Sequence, residues 1–462
     1  MNEDLSAKTR QNEDIEYLKD KVSSLELQLK DKDREIRYLR EIVRQRESSV
    51  SWRLSQLYGK FFSMGSPVTK ALSRVFEKAM PMEKQASLKK SDDYKNELER
   101  ILRARKGKVK GIIIYPPTVD WNIPLFQRPQ QLALELSKNG YLFFYSTCKN
   151  EFDRVDGFYE INENCYITNQ YDLLVRELSG FIVILSSTNL DIRLEEVIKI
   201  KERATIVYDY IDEIHTDIIA RESVAHISRR HEYMRKRADI FIATADNLYN
   251  EALKYREKDT YLIPNGVDYE HFHIARNIAR IPADFVSIIE KNKPIIGYYG
   301  AMAKWLDYEL IKKAAAARPN YEFVLIGWDY DGSIVDQGLE QFENIHFLGA
   351  KDYSILPQYA VWFDVSTIPF ILNSITESTS PIKVFEYMAL STPILTTDLR
   401  ECRKYGSVLI ANGREDFIGK LDDAIKLKDD NSYLALLDKE AKENTWDKRA
   451  IEIINCIEAK HL

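Results

Sequence analysis

Between positions 15 and 50 apolar residues recur in steps of three and four: Ile15, Leu18, Val22, Leu25, Leu29, Ile36, Leu39, Val43 and Val50. With Ile15 as an a position, the a sites read Ile, Val, Leu, Ile, Val, Val. The d sites read Leu, Leu, Lys, Leu, Arg, so Lys32 and Arg46 interrupt the seam. β-Branched residues at a with Leu at d favour a parallel two-stranded coil. Residues 11–50 are therefore predicted to form a parallel coiled-coil homodimer, after a disordered start at 1–10. A lone charged helix, or a coil with an intramolecular or heteromeric partner, also fits the pattern. Residues 51–109 read as a helical amphipathic connector. Within it Trp52, Leu57, Phe61, Phe62, Leu72, Val75 and Phe76 alternate with Arg53, Lys60, Lys70, Arg74 and Lys78. Such a face suits an anionic membrane surface or packing on the globular body.

From residue 110 the period changes. Short β-rich runs at 111–115, 141–146, 181–185, 205–209 and 239–243 are separated by helical stretches. A second series follows at 294–299, 322–327, 345–348, 363–368, 393–397 and 407–410. Strands alternating with helices indicate parallel sheets covered on both faces. The fold class is α/β, with two Rossmann-like domains facing a cleft. Their predicted bounds are 110–272 and 294–440. A linker spans 273–293, and a C-terminal helix at 441–462 returns toward the first domain. Ligands of such sheets bind at the carboxyl ends of the strands.

Composition narrows this little. The chain has 462 residues, too many for one compact domain. A formal net charge of -6 gives no sign of a nucleic-acid partner. The four cysteines (Cys148, Cys165, Cys402, Cys456) form no CxxC pair, which speaks for a reducing compartment and against a zinc site. The opening residues lack the apolar core of a secretory signal, and no apolar run reaches 18 residues. A cytoplasmic protein is expected, touching the inner face of the cell membrane if residues 51–80 do.

The candidate chemistry concentrates at Ser380-Pro381-Ile382-Lys383-Val384-Phe385-Glu386. Ser380 suits an N-cap and Pro381 a first helical position. A helix start offers amides and a positive dipole end to an anion such as phosphate. Lys383 adds a full charge there. Glu386 lies on nearly the same side, about 4.5 Å further along the axis, where it can accept from two vicinal hydroxyls. A diphosphate joined to a ribose presents both chemistries. A solvated i,i+3 ion pair fits the same window. Gly300 follows the first strand of the second series and lets backbone approach a phosphate; Lys304 follows as a further cation. In the first domain Asp120 is the candidate general base. Gln127 and Arg128 open a helix that faces the cleft. Asp209, Asp212 and Glu213 end another strand.

Taken together, the Ile263–Asp268 turn (IPNGVD), residues 296–305 (IGYYGAMAKW), Phe347-Leu348-Gly349, Ile368-Pro369-Phe370 and the block 380–393 resemble the GT-B fold glycosyltransferases. The likeness is to the bacterial group 1, or GT4-like, family of surface-polysaccharide type, over residues 110–462. The resemblance implies a nucleotide-sugar donor held by the C-terminal domain through Gly300, Lys304, Ser380, Lys383, Val384 and Glu386. It implies a glycan or lipid-linked glycan acceptor on the N-terminal domain beside Gln127 and Arg128. It implies hexosyl or deoxyhexosyl transfer with no cofactor and no catalytic metal. Two departures stand out. Ser378 replaces a glutamate that relatives use on the donor sugar, with Glu377 adjacent. Ser391 replaces the glycine after the helix. A nucleotide-sugar epimerase of the same fold and a non-catalytic coiled-coil scaffold are the alternatives.

Overall fold

The computed structural model describes residues 91–461, apart from 124–125, 148–151, 216–220, 279 and 336. The predicted coiled coil, the disordered start and the amphipathic residues 51–80 lie outside the described residues.

The first sheet has eight strands: β1 (Gly111–Tyr115), β2 (Tyr141–Ser146), β3 (Phe158–Asn162), β4 (Cys165–Thr168), β5 (Phe181–Ser186), β6 (Ala204–Tyr210), β7 (Ile240–Ala243) and β8 (Thr260–Leu262). Their order is β3-β4-β2-β1-β5-β6-β7-β8, parallel throughout except for the β3–β4 pair. The central strands are continuous apolar runs such as YLFFYS and FIVILS, buried along their whole length. That is the composition of a parallel strand covered on both faces.

The second sheet has six: β9 (Ile295–Tyr299), β10 (Glu322–Ile326), β11 (Ile345–Phe347), β12 (Val365–Ile368), β13 (Ile394–Thr397) and β14 (Val408–Ala411). Their order is β11-β10-β9-β12-β13-β14, all parallel. The chain reverses its direction of winding between β9 and β12. Such a switch point leaves a crevice at the carboxyl ends of the two strands.

Four segments depart from the sequence expectation. The helix Ser91–Arg105 buries Tyr94, Leu98 and Ile101 against the first sheet, so it is part of the N-terminal domain rather than a connector. Its other positions are strongly charged, which masks a narrow apolar stripe. Residues 273–293 are no linker: Ala275, Phe285 and Ile288 pack into the core of the second domain. The β3–β4 hairpin and β8 were not expected from the sequence, being short.

The helix Trp446–His461 lies against the helix Arg128–Lys138, burying Ala450, Ile453, Ile454 and Ile457 in the N-terminal core. The chain thus crosses between domains twice. At the crossings Val267 and Thr445 form a parallel bridge, with the Val267 amide donating to the Asn444 carbonyl at 3.0 Å and the Trp446 amide to the Val267 carbonyl at 3.1 Å. Among the described residues no helix is long and apolar enough to cross a membrane.

Candidate functional site

The carboxyl ends of β9 and β10 are shaped by two glycines. Gly300 has φ +137, a conformation that disfavours side chains, and a Cβ there would collide with Lys383 Cε and lie 2.8 Å from its Nζ. Gly327 packs so closely on Gly300 that a Cβ would overlap the Gly300 carbonyl. The Gly300 amide donates to Ile326 and the Gly327 amide to Gly349, at 2.8 and 2.9 Å. The backbone therefore forms a smooth floor onto which the Lys383 side chain lies flat.

Across this floor stands the helix Ile382–Ala389. Val384, Phe385, Tyr387, Met388 and Ala389 face the core, which leaves Lys383 and Glu386 toward the cleft. The cleft encloses about 620 Å³ of empty volume, partly open to solvent. Gly300, Gly327, Lys351, Tyr353, Lys383 and Glu386 line it from the C-terminal domain, and Phe126 and Gln127 from the N-terminal domain.

The two charges are incompletely satisfied. The Lys383 ammonium lies 5.7 Å from the Tyr298 ring and 5.8 Å from the Phe370 ring. Burial pulls its pKa down, opposed by the Glu386 carboxylate. Lys351, the other lysine on the wall, already bonds to Asp284 at 2.8 Å. Glu386 is 5% exposed and accepts one hydrogen bond, from the Tyr299 hydroxyl at 2.8 Å. Burial pushes its pKa up to about 7 against the pull of the Tyr299 hydrogen bond and Lys383. A half-buried cation without a bonded anion and a buried carboxyl with spare acceptor capacity are costly unless a ligand completes them.

Other expected site residues stand elsewhere. Ser380 is not the N-cap; Pro381 takes that place, and the Ser380 hydroxyl accepts from the Asn265 amide at 3.3 Å. Val384 offers no donor contact, because its side chain is in the core and its amide donates to the Pro381 carbonyl at 3.2 Å. The amides left over at this helix start are those of Ile382 and Lys383. Lys304 is exposed, off the cleft wall, with its amide on Asp331. Asp120 is buried, and its carboxylate accepts from the Phe152 amide at 3.0 Å, so it fixes a loop instead of serving as a base in the cleft. Arg128 does not face an acceptor. It is buried in a two-pronged pair with Asp209, at 2.8 and 3.0 Å, and donates to the Pro264 carbonyl at 3.0 Å. Gln127 does reach the cleft, but on the same pocket as Lys383 and Glu386. Ser378 is buried and Glu377 exposed, and neither lines that pocket. Ser391 takes the left-handed position after the helix at φ +53, the conformation a glycine there would adopt without strain.

Two site residues were not singled out from sequence, and a third, Asp212, was named there only as ending a strand. Tyr299 orients Glu386, and its hydroxyl is visible only once β9 and the helix are side by side. Tyr353 joins the domains: it accepts from Gln131 at 2.9 Å, stacks on His271 and, with ring centroids 5.4 Å apart, on Phe126. Asp212, just past β6, has a pKa pushed up to about 7 by burial and by the nearby Asp209 charge.

Comparisons with known proteins agree with this geometry. Residues 293–429 match the family model described as glycosyl transferases group 1. A Bacillus subtilis (strain 168) protein provisionally assigned as the teichuronic acid biosynthesis glycosyltransferase TuaH is 27% identical over 223 residues. That match covers 46% of this chain and 55% of the relative, about half of its length. The sucrose-phosphate synthase of Thermosynechococcus elongatus superposes with a TM-score of 0.56 at 14% identity, over 75% of this chain and 98% of that one. Anabaena Alr3699/HepE, solved in complex with UDP, superposes at 0.53 with 14% identity, over 76% of this chain and 100% of that one. At these identities the likeness is one of fold, the GT-B architecture of two facing α/β domains.

Proposed function

We propose that the chain, whose residues 293–429 match the group 1 glycosyltransferase family model, moves a sugar from a nucleotide-diphosphate donor to a glycan or lipid-linked glycan acceptor. The carrying observation is the pair Lys383 and Glu386, lining one cleft together above the Gly300 floor. The ammonium and the amides of Ile382 and Lys383 suit the donor diphosphate; the Glu386 carboxylate suits the ribose hydroxyls. The UDP bound to Alr3699/HepE supports a nucleoside diphosphate in this fold. The TuaH relative, assigned to teichuronic acid biosynthesis, supports a bacterial surface polysaccharide as the product.

In the transfer, an acceptor oxygen bonds to the anomeric carbon as the bond from that carbon to the diphosphate breaks. Negative charge grows on the leaving diphosphate, where Lys383 and the helix start stabilise it without a metal. The acceptor hydroxyl loses its proton to a base as the new bond forms. Incubating the protein with radiolabelled nucleotide sugars and lipid-linked acceptors tests the reading. Labelled glycan that disappears in Lys383→Ala is the expected outcome. Free epimerised nucleotide sugar, with no transfer, would sink it.

A further inference from the structure

Four hydrogen bonds converge on Asn265, in the turn between the domains. Its side-chain oxygen accepts from Arg128 Nη1 at 3.4 Å, and its side-chain amide donates to the Ser380 carbonyl at 2.7 Å. Its backbone amide donates to Ser380 Oγ at 3.3 Å, and its carbonyl accepts from Arg449 Nε at 3.1 Å. All four participants are buried. Arg128 is itself fixed by both oxygens of Asp209 at the end of β6. Arg449 lies on the returning helix and also donates to Asn444. One residue, through its side chain and backbone, therefore ties the first sheet and the return helix to the residue from which the nucleotide-facing helix departs.

The geometry downstream is stiff. Ser380 is followed by Pro381, whose ring holds φ at -71, and the helix begins at Ile382. With both the hydroxyl and the carbonyl of Ser380 held, the direction of the first turn is set, and with it the amides of Ile382 and Lys383 and the Lys383 side chain. Satisfying the buried Ser380 carbonyl needs only one donor. Here the donor comes from the segment that also carries the domain crossing, so the start of the helix moves with that crossing.

We propose that Asn265 is a positioning residue, setting the first turn of the helix Ile382–Ala389 from the interdomain turn so that Lys383 meets the donor diphosphate. This rests on the nucleotide-sugar reading above. Asn265→Asp isolates the contact: it keeps an oxygen toward Arg128 but cannot donate to the Ser380 carbonyl. Calorimetry with UDP, GDP and dTDP on the full chain identifies the nucleotide that binds tightest. That probe is then titrated into wild type, Asn265→Asp, Lys383→Ala and the double variant, with thermal unfolding recorded for each. The expected result is about a tenfold loss of affinity from Asn265→Asp in the wild-type background and less than twofold in Lys383→Ala. Equal losses in both backgrounds would mark a merely structural residue and overturn the proposal, as would no loss in either. If Asn265→Asp does not fold, Ser380→Ala, which removes only the hydroxyl accepting from the Asn265 amide, carries the same cycle with about a threefold loss. A wild-type protein that binds none of the three nucleotides overturns the donor reading and this inference with it. Binding by wild type with an unchanged Asn265→Asp overturns this inference alone.

Discussion

The carboxyl ends of the two sheets hold matched charges to opposite effect. In the N-terminal domain Arg128 and Asp209 bond to each other through two contacts, and the guanidinium also donates to the Pro264 carbonyl. In the C-terminal domain Lys383 and Glu386 share one helix face, with a single hydrogen bond between them and the protein, from Tyr299. Arg128 and Asp209 are buried off the cleft wall, whereas buried Glu386 and half-buried Lys383 line it. The first is saturated and holds structure; the second is left short of partners and waits on a ligand. Burial and charge alone therefore do not mark a binding site. Unused hydrogen-bonding capacity does.

The contrast can be broken at several points. Arg128→Ala should cost the most, about 3–5 kcal/mol of stability, because it strands the buried Asp209 carboxylate. Denaturant unfolding measures this, and a loss under about 1 kcal/mol would show the pair to be dispensable. Lys383→Ala should leave unfolding nearly unchanged while weakening nucleoside diphosphate binding roughly 10- to 100-fold. Glu386 allows a sharper test because its folded pKa is raised. The native state holds its proton up to about pH 7, whereas the unfolded carboxyl releases it near its ordinary value of 4.5. Stability from this group is thus present at low pH and falls as pH rises from about 4.5 to 7. Glu386→Gln should match wild type at pH 4.5 and exceed it at pH 8, on the order of 1–3 kcal/mol. Its nucleotide affinity should be lower and flat with pH, while that of wild type improves as pH rises through 7 and the carboxylate ionises. A wild-type affinity that declines over that range would reverse the assigned role. The smallest effect is expected at Ser391. Its left-handed backbone is relieved by Ser391→Gly, raising stability by about 0.5–1 kcal/mol with no change in nucleotide binding.

How much was legible in sequence follows the range of each interaction. Lys383 and Glu386 were legible because their relation is local, three residues apart on a helix whose other positions are apolar. The central strands were legible because double burial makes them unbroken apolar runs. Arg128 misled because its partner Asp209 is 81 residues away. A charge at a helix start looks alike whether it meets a ligand or a distant carboxylate. Asp120 misled similarly, since its bond to the Phe152 amide is a tertiary contact between loops. The helix Ser91–Arg105 was hidden by its charge. Only Tyr94, Leu98 and Ile101 need be apolar when one narrow stripe is covered.

The paired crossings at Val267 and Thr445 have a mechanical consequence. Two chain segments joined side by side by hydrogen bonds act as two pins on one axle. A swing of the domains about that line would spare the bridge, whereas shearing or twisting would break its two hydrogen bonds. Opening of the cleft should then trace a single arc, parting Phe126 from Tyr353 and returning them to the same register on closing.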